Sequence, residues 1–506
     1  MKKLLTLFLL TEILFNISAF SQSGENSSSD SGSSEISFNI EQSSQGFFHE
    51  NDGKKHWLTA IGGMLFFNLG LSSYNRWVLG SGWAQTNWED EWSCFWKREM
   101  SYDRDWYWTN FVLHPYQGGV YYQVSRGSNL NQLESFAVTL AGSAMWEYLC
   151  EKNAPSTNDM FYTSVGSFSM GEMLYRLSLN AEELSLIFAE VIDPTRWWTD
   201  LWLRQKPLGT RRNIHELSLQ FGAGTARGYT DILNSSAFSY KQAEVYPAFF
   251  NGKFSVVYND PYGHDSNDPY SQFELDISGT IGKGSGEGAF CQYEELDTKI
   301  MYDIRIMSDG MLFSRAPQLS ENSDTTLGLV MEYDFDWHHF YLLSALGPGL
   351  AAKQRLRGEK SNIEWQLHGA WNIMGTTDYY YYHRKTGVLS GDEGVTRNYN
   401  MTTGPMTVLK FRWMNEKGLN FNFVFRGYGM YDFYSQLQND RPAASAGWEW
   451  IGVANASLEL PLSRILRLGV YDEFYTKRAF YKKVPDVFQF VNSAGIYAKF
   501  QMKQVM

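Results

Sequence analysis

Residues 105–176 hold polar side chains set into apolar, helix-like sequence more densely than any other part of the chain. Thr139, Ser143, Glu147 and Glu151 recur every four residues along the apolar stretch 133–151. A step of four drifts only about 40° from a full helical turn, so these residues share one stripe. Two carboxylates on an apolar helix need water, a cation or hydrogen-bond donors. Asn110 and His114, also four apart, share a face of a preceding short helix that Pro115 is expected to stop or kink.

Several chemistries suit these residue types. Glu147 or Glu151 as general base, with His114 as polarising donor, would suit proton transfer on an envelope lipid or glycan. The same carboxylates with His114 resemble a metal set in a helix bundle, but the usual Glu-x-x-His pairing is absent, so no metal is expected. Ser143 or Ser156 as nucleophile lacks the GxSxG context of a nucleophile elbow. Against all three stands a packing reading. Asn110, His114, Tyr116, Arg126, Ser143, Glu147, Glu151, Ser156, Asp159 and Glu172 would form a buried or binding polar network that fixes helix register. Arg126 with a glutamate is the natural bidentate pair within it.

The elements that must position these residues read as follows. Residues 56–71 are apolar for about sixteen positions, short for a transmembrane helix. They fit a buried helix or one lying against a membrane. Residues 83–108 are rich in Trp, which marks a filled core or an interfacial belt. Ser156 or Asn158 can cap a helix with Asp159 in its first turn, and further helices are expected over 181–191 and 195–203.

Near Ile214 the apolar period changes from 3.6 to 2. Leu217, Leu219 and Phe221 alternate with Glu216, Ser218 and Gln220, and the pattern recurs to Ile496, Ala498 and Phe500. Ionised residues keep returning on the second face, which suggests a wet lumen rather than a sandwich core. About twelve strands of roughly nine to thirteen residues are expected, suited to a tilted bilayer span. Short turns are read at 415–418 and 461–464. Between Trp337 and Asn415 three strands join two short turns, which breaks barrel parity, so one strand there is expected to be misread. The terminal aromatic usual in barrels is missing, with Phe500 six residues in.

Composition agrees. Charged residues are 19%, aromatics 16% (18 Trp and 31 Tyr), and net charge is −12. The acidic balance argues against nucleic acid as a partner. A mean hydropathy of −0.36 is too polar for a polytopic helical membrane protein. Cys94, Cys150 and Cys291 are widely spaced, so a dithiol or zinc site is not expected, although one disulfide is compatible with an oxidising compartment. Residues 1–21 read as a secretory signal, with Lys2-Lys3, an apolar run interrupted by Glu12, and Ala19-Phe20-Ser21 as cleavage site. Residues 22–50 read as a disordered Ser-rich leader.

The stretch TNFVLHPYQGGVYYQVSRG, followed by GSAMWEYLCEKNAPSTNDMFYTSVGSFSMGE, resembles a family of uncharacterised bacterial envelope proteins classed as a domain of unknown function. The resemblance rests on Asn110, His114-Pro115-Tyr116, Arg126, Trp146-Glu147, Pro155-Ser156, Asp159 and Gly171-Glu172, and covers roughly 75–180. It implies a secreted protein with a strand-rich region downstream and no established activity.

The resulting expectation is an α+β chain. A helical domain of unknown function spans 51–206, and an antiparallel transmembrane β-barrel spans 207–506 in the bacterial outer membrane. The helices are expected on the periplasmic side, plugging the lumen or, preferably, docked under the barrel mouth. The leading function is a structural or transport barrel with a helical adaptor. The alternative is a membrane-boundary enzyme using His114, Glu147 and Glu151. Outer-membrane lipid is the expected partner, with an envelope lipid or glycan as ligand; no cofactor is implied.

Overall fold

A computed structural model describes residues 52–87, 89, 100–102, 107–182, 185–204, 213–233, 241–285, 300–338, 340–378, 399–434, 446–482 and 485–503. The signal and Ser-rich leader read from the sequence lie outside these residues, as do Cys94 and Cys291.

Alternating sequence from Ile214 onward folds into twelve strands: β1 (Ile214–Leu233), β2 (Lys241–Tyr258), β3 (Phe273–Ser285), β4 (Ile300–Arg315), β5 (Ser323–Trp337), β6 (Leu342–Arg357), β7 (Ser361–Asp378), β8 (Tyr399–Asn415), β9 (Asn420–Tyr434), β10 (Gly447–Pro461), β11 (Leu466–Tyr481) and β12 (Asp486–Lys503). Each pairs antiparallel with its sequence neighbours, and β1 pairs β12 to close the barrel. Leu219 stands opposite Phe500, and Phe221 opposite Ala498, at that seam. Closure leaves no free edge for backbone polar groups. The strands run 13 to 20 residues, longer than the sequence pattern implied.

One end of the barrel carries both its termini and the connections 259–272, 316–322, 358–360, 416–419 and 462–465; it is called here the turn end. The opposite, loop end carries 234–240, 286–299, 338–341, 379–398, 435–446 and 482–485. The parity conflict thereby resolves. All three strands after Trp337 exist, and the short connection 338–341 simply lies at the loop end.

That short connection folds into the lumen. The Tyr341 ring stacks on Tyr475 of β11 with centroids 3.6 Å apart. A Cβ added to Gly228 of β1 would stand 2.8 Å from the Phe340 ring, so Phe340 abuts the strand there. Met406, Tyr428, Met430 and Ile451 join these rings in one apolar cluster. The rest of the lumen is charged and crossed by ion pairs. Arg305 on β4 reaches Asp336 on β5 and Glu473 on β11, each at 2.8 Å. Arg426 on β9 meets Asp334 on β5 at 2.7 Å, and Arg412 on β8 meets Glu216 on β1 at 3.3 Å.

The helical region comprises α1 (Trp57–Ser73), α2 (His114–Gly127), α3 (Gln132–Met145), α4 (Thr157–Phe161), α5 (Ser167–Ala181), α6 (Leu186–Ile192) and α7 (Arg196–Leu203). Asn131 and Glu134 start α3 with a reciprocal capping box, each bond 2.9 Å. Pro115 does not stop a helix as expected from sequence. It sits in the first turn of α2, where its missing N–H costs least, and a π-helical turn at Thr109–Leu113 leads into it. Further π-helical turns occur at Tyr74–Val78, Trp146–Cys150 and Tyr162–Gly166.

These helices neither plug the lumen nor sit under its mouth. They lie against the outer wall. On β5 the outward side chains are those in phase with exposed Leu327 and Leu329, namely Met331, Tyr333 and Phe335, and these three are buried against the helices. Tyr107 stacks on Phe335 at 4.9 Å, and its hydroxyl donates to the Leu343 carbonyl at 2.6 Å. Tyr333 donates to the Phe111 carbonyl, and Tyr162 to the Met374 carbonyl at 2.8 Å. At the turn end, Arg176 of α5 pairs with Asp268 at 2.8 Å, and Tyr270 donates to Ser169.

Candidate functional site

The ten sequence-selected residues separate into a His114 group, an Arg126 group and outliers. His114 opens α2 and is buried. Its Nδ1 lies 3.2 Å from the Thr163 hydroxyl, inside the π-helical turn of 162–166. Its Nε2 lies 3.7 Å from Asp159, beyond hydrogen-bond reach. Burial holds the imidazole down at about 4, below its ordinary 6.5, so His114 is neutral at pH 7. Asp159 Oδ1 accepts from Asn158 at 2.7 Å, and Asn158 Oδ1 accepts from the Ser156 hydroxyl at 3.0 Å. Ser156 caps α4 as expected, its hydroxyl accepting from the Asp159 N–H at 3.3 Å. Its own N–H donates to Glu147 at 2.7 Å. A chain of hydrogen bonds thus runs from Asp159 through Asn158 and Ser156 to Glu147, with His114 beside its Asp159 end.

Glu151 stands apart from that chain. The helical stripe on which it was placed ends at the π-helical turn 146–150, which adds a residue to the turn, and Glu151 itself is extended. Its carboxylate accepts from the Trp146 indole at 2.7 Å. Ser143 is buried on α3, and Tyr116 packs beside Ala60 and Met64 of α1. Asn110 donates to the hydroxyl of Tyr399 on the barrel wall.

Arg126 pairs with Glu172 rather than with Glu147 or Glu151. Its Nε and Nη2 reach the two carboxylate oxygens at 2.8 and 3.3 Å, and its Nη1 donates to the Leu130 carbonyl at 2.7 Å. Arg176, one turn beyond Glu172, donates to the same carboxylate at 2.7 Å and continues to Asp268. Sequence reasoning read Asn158 only as a helix cap and passed over Thr163, Arg176 and Asp268 as members of the network. The spacing of Glu172 and Arg176 was available; nothing local ties Asp268, between strands, to a helix.

Close backbone approach brings the two groups together. A Cβ on Gly118 would lie 1.8 Å from the Thr163 carbonyl oxygen, so only glycine lets α2 meet the 162–166 turn there. Among the described residues, three of the four π-helical turns carry Asn110, Glu147 and Thr163, and such turns recur where helices serve a site.

Residues 99–192 match DUF3943, a domain of unknown function. The DUF3943 segment therefore contains every residue selected above, and its helices precede a barrel of twelve strands. No curated protein matches the chain. Solved structures similar to it include a NanC porin (9% identity, 56% of this chain and 98% of that one, TM-score 0.24). The transport unit of the autotransporter AIDA-I from Escherichia coli gives 9%, 64%, 99% and 0.26 on the same measures. An outer membrane channel from Pseudomonas putida F1 gives 9%, 56%, 95% and 0.29.

Outside the DUF3943 segment, ligand atoms of Asp309, Glu332 and His368 lie within 4.8 Å of one another in the lumen. Asp309 already receives Lys353 at 3.2 Å and Lys410, while Glu332 receives His368 at 2.6 Å and Arg426 at 3.3 Å. Three cationic side chains meet these carboxylates in an ion-pair network, while the Nε2 of His368 is buried without a hydrogen-bond partner.

Proposed function

We propose that the protein is a bacterial outer-membrane barrel whose lumen is closed to free permeation and whose wall scaffolds the DUF3943 helices. The membrane placement is supported by the exposed apolar residues on the outward phase of the strands, among them Phe221, Phe250, Leu350 and Ile496. The observation that carries the closed reading is Arg305, which ties Asp336 to Glu473 across strands nearly opposite in the barrel. Below the Phe340–Tyr341 wedge the lumen holds a pocket of about 380 Å³ whose lining includes Lys410, Arg412, Glu216 and Asp276. Purified protein should show heat-modifiable gel migration and no steady conductance in planar bilayers. Paired Phe340→Gly and Tyr341→Gly changes should raise conductance. A wild-type protein that conducts like an open porin refutes the closed barrel.

A second reading, an enzyme acting on an envelope lipid or glycan, is favoured by the buried, neutral His114 set against Thr163 of the π-helical turn 162–166. In it, His114 polarises substrate and Glu147 serves as base. Glu147 is engaged by the Ser156 N–H, which makes the same contacts a packing network. His114→Gln and Glu147→Gln variants that assemble normally but lose an envelope phenotype support catalysis. Variants that lose the helical fold support packing.

A further inference from the structure

The outer surface of the helical region carries many exposed apolar side chains. Along α1, Ala60, Gly63, Met64 and Asn68 face inward, while Leu58, Ile61, Leu65 and Leu69 face outward. Asn68 is satisfied inside, donating to the Gly142 carbonyl and accepting from Tyr121, both at 2.9 Å. The helix contains no Asp, Glu, Lys or Arg. Ile187, Phe188 and Val191 of α6 and Trp202 of α7 are likewise exposed. Inside lie the Arg126–Glu172–Arg176 group and helices that meet through glycines such as Gly63, Gly118 and Gly142. Glycine contacts and paired polar groups inside, with apolar side chains outside, is an arrangement found in helices packed in lipid. A surface this large and apolar is rare on a water-facing domain.

Position on the barrel points the same way. On β3 the helices cover Phe273 and Leu275, while Ile277 and Ile281, further toward the loop end, are exposed. On β5 they cover Met331, Tyr333 and Phe335, while Leu327 and Leu329, further toward the turn end, are exposed. The covered band follows the hydrogen-bonding direction, from Val256 and Leu275 across to Thr376 and Met401. It is therefore continuous, on both flanks, with the wall that faces lipid.

We infer that the helical domain is seated within the acyl layer beside the barrel, and that phospholipid chains cover its outer face. No described helix is long and apolar enough to cross a membrane, and none needs to, because the barrel supplies the span. The inference rests on the barrel lying in a membrane, and the test separates the two. Benzoylphenylalanine is placed in the full chain instead of Leu58, of Leu69 or of Ile187, which are 89%, 53% and 60% exposed. Barrel controls carry it instead of Phe250 or Ile496, at 70% and 66%. After reconstitution in phosphatidylethanolamine–phosphatidylglycerol vesicles and illumination, all five positions should gain the mass of one phospholipid. Lipid adducts at the barrel positions alone, with the helix positions unmodified or linked to a second copy, overturn the inference and leave the barrel standing. Lipid adducts at none overturn both.

Discussion

Glu172 is fully buried and receives two guanidinium groups, so its charge is matched only while the pair is complete. Glu172→Ala should leave Arg126 without a carboxylate and Arg176 with Asp268 alone, and destabilise the helical domain by about 3 kcal/mol. Limited proteolysis would read this as cleavage within 107–204 while the barrel still migrates as a folded band; unchanged resistance would contradict it. His114 gives a pH dependence of definite sign. Its folded value is lowered, so the unfolded chain takes up the proton first, and stability is present above pH 6.5 and falls as pH drops toward about 4. Protease resistance should decline across that window in the wild type and decline less in His114→Gln. The sequence identified the right residue types here but paired them wrongly. Arg126 has glutamates at 147, 151 and 172 to choose from, and spacing along separate helices does not say which approaches.

Among the described helices, α2 makes the closest backbone approach. Gly118→Ala would force a methyl group against the Thr163 backbone, and overpacking of this kind should cost about 1–3 kcal/mol. Gly119→Ala, with 3.7 Å to the Gly171 backbone, should be milder. Equal protease sensitivity of the two variants would dismiss the close approach as a constraint. Strands were legible because water inside and an apolar layer outside impose a period of two. The π-helical turns were not, since one extra residue in a turn leaves no compositional trace. This is why the stripe drawn through Glu147 to Glu151 broke at 146–150.

Across the whole molecule, the barrel followed from the sequence and the docking face did not. Tyr333 and Phe335 continue the same alternation as Leu327 and Leu329, so a wall covered by protein reads like a wall covered by lipid. The covered wall carries hydroxyl groups, with Ser308, Ser344, Thr376 and Tyr399 buried beneath the helices. Without the helices these groups would meet hydrocarbon with fewer partners. A chain lacking residues 52–204 should therefore assemble poorly, and the helical segment supplied separately should restore its heat-modifiable band. Full assembly of the barrel alone would show that the two parts are energetically independent.

The β5–β6 hairpin has two masters. Its outer side is held by Tyr107, whose hydroxyl bonds to the Leu343 carbonyl, and its tip carries the Phe340–Tyr341 wedge into the lumen. The hairpin is thus a lever whose fulcrum is the barrel wall. Thermodynamic linkage makes such coupling reciprocal: whatever shifts the helices biases the wedge, and whatever fills the lumen biases the helices by the same free energy. Tyr107→Phe, a change wholly outside the lumen, should then raise leak conductance. An unaltered leak would show that the wedge is held by the lumen side alone.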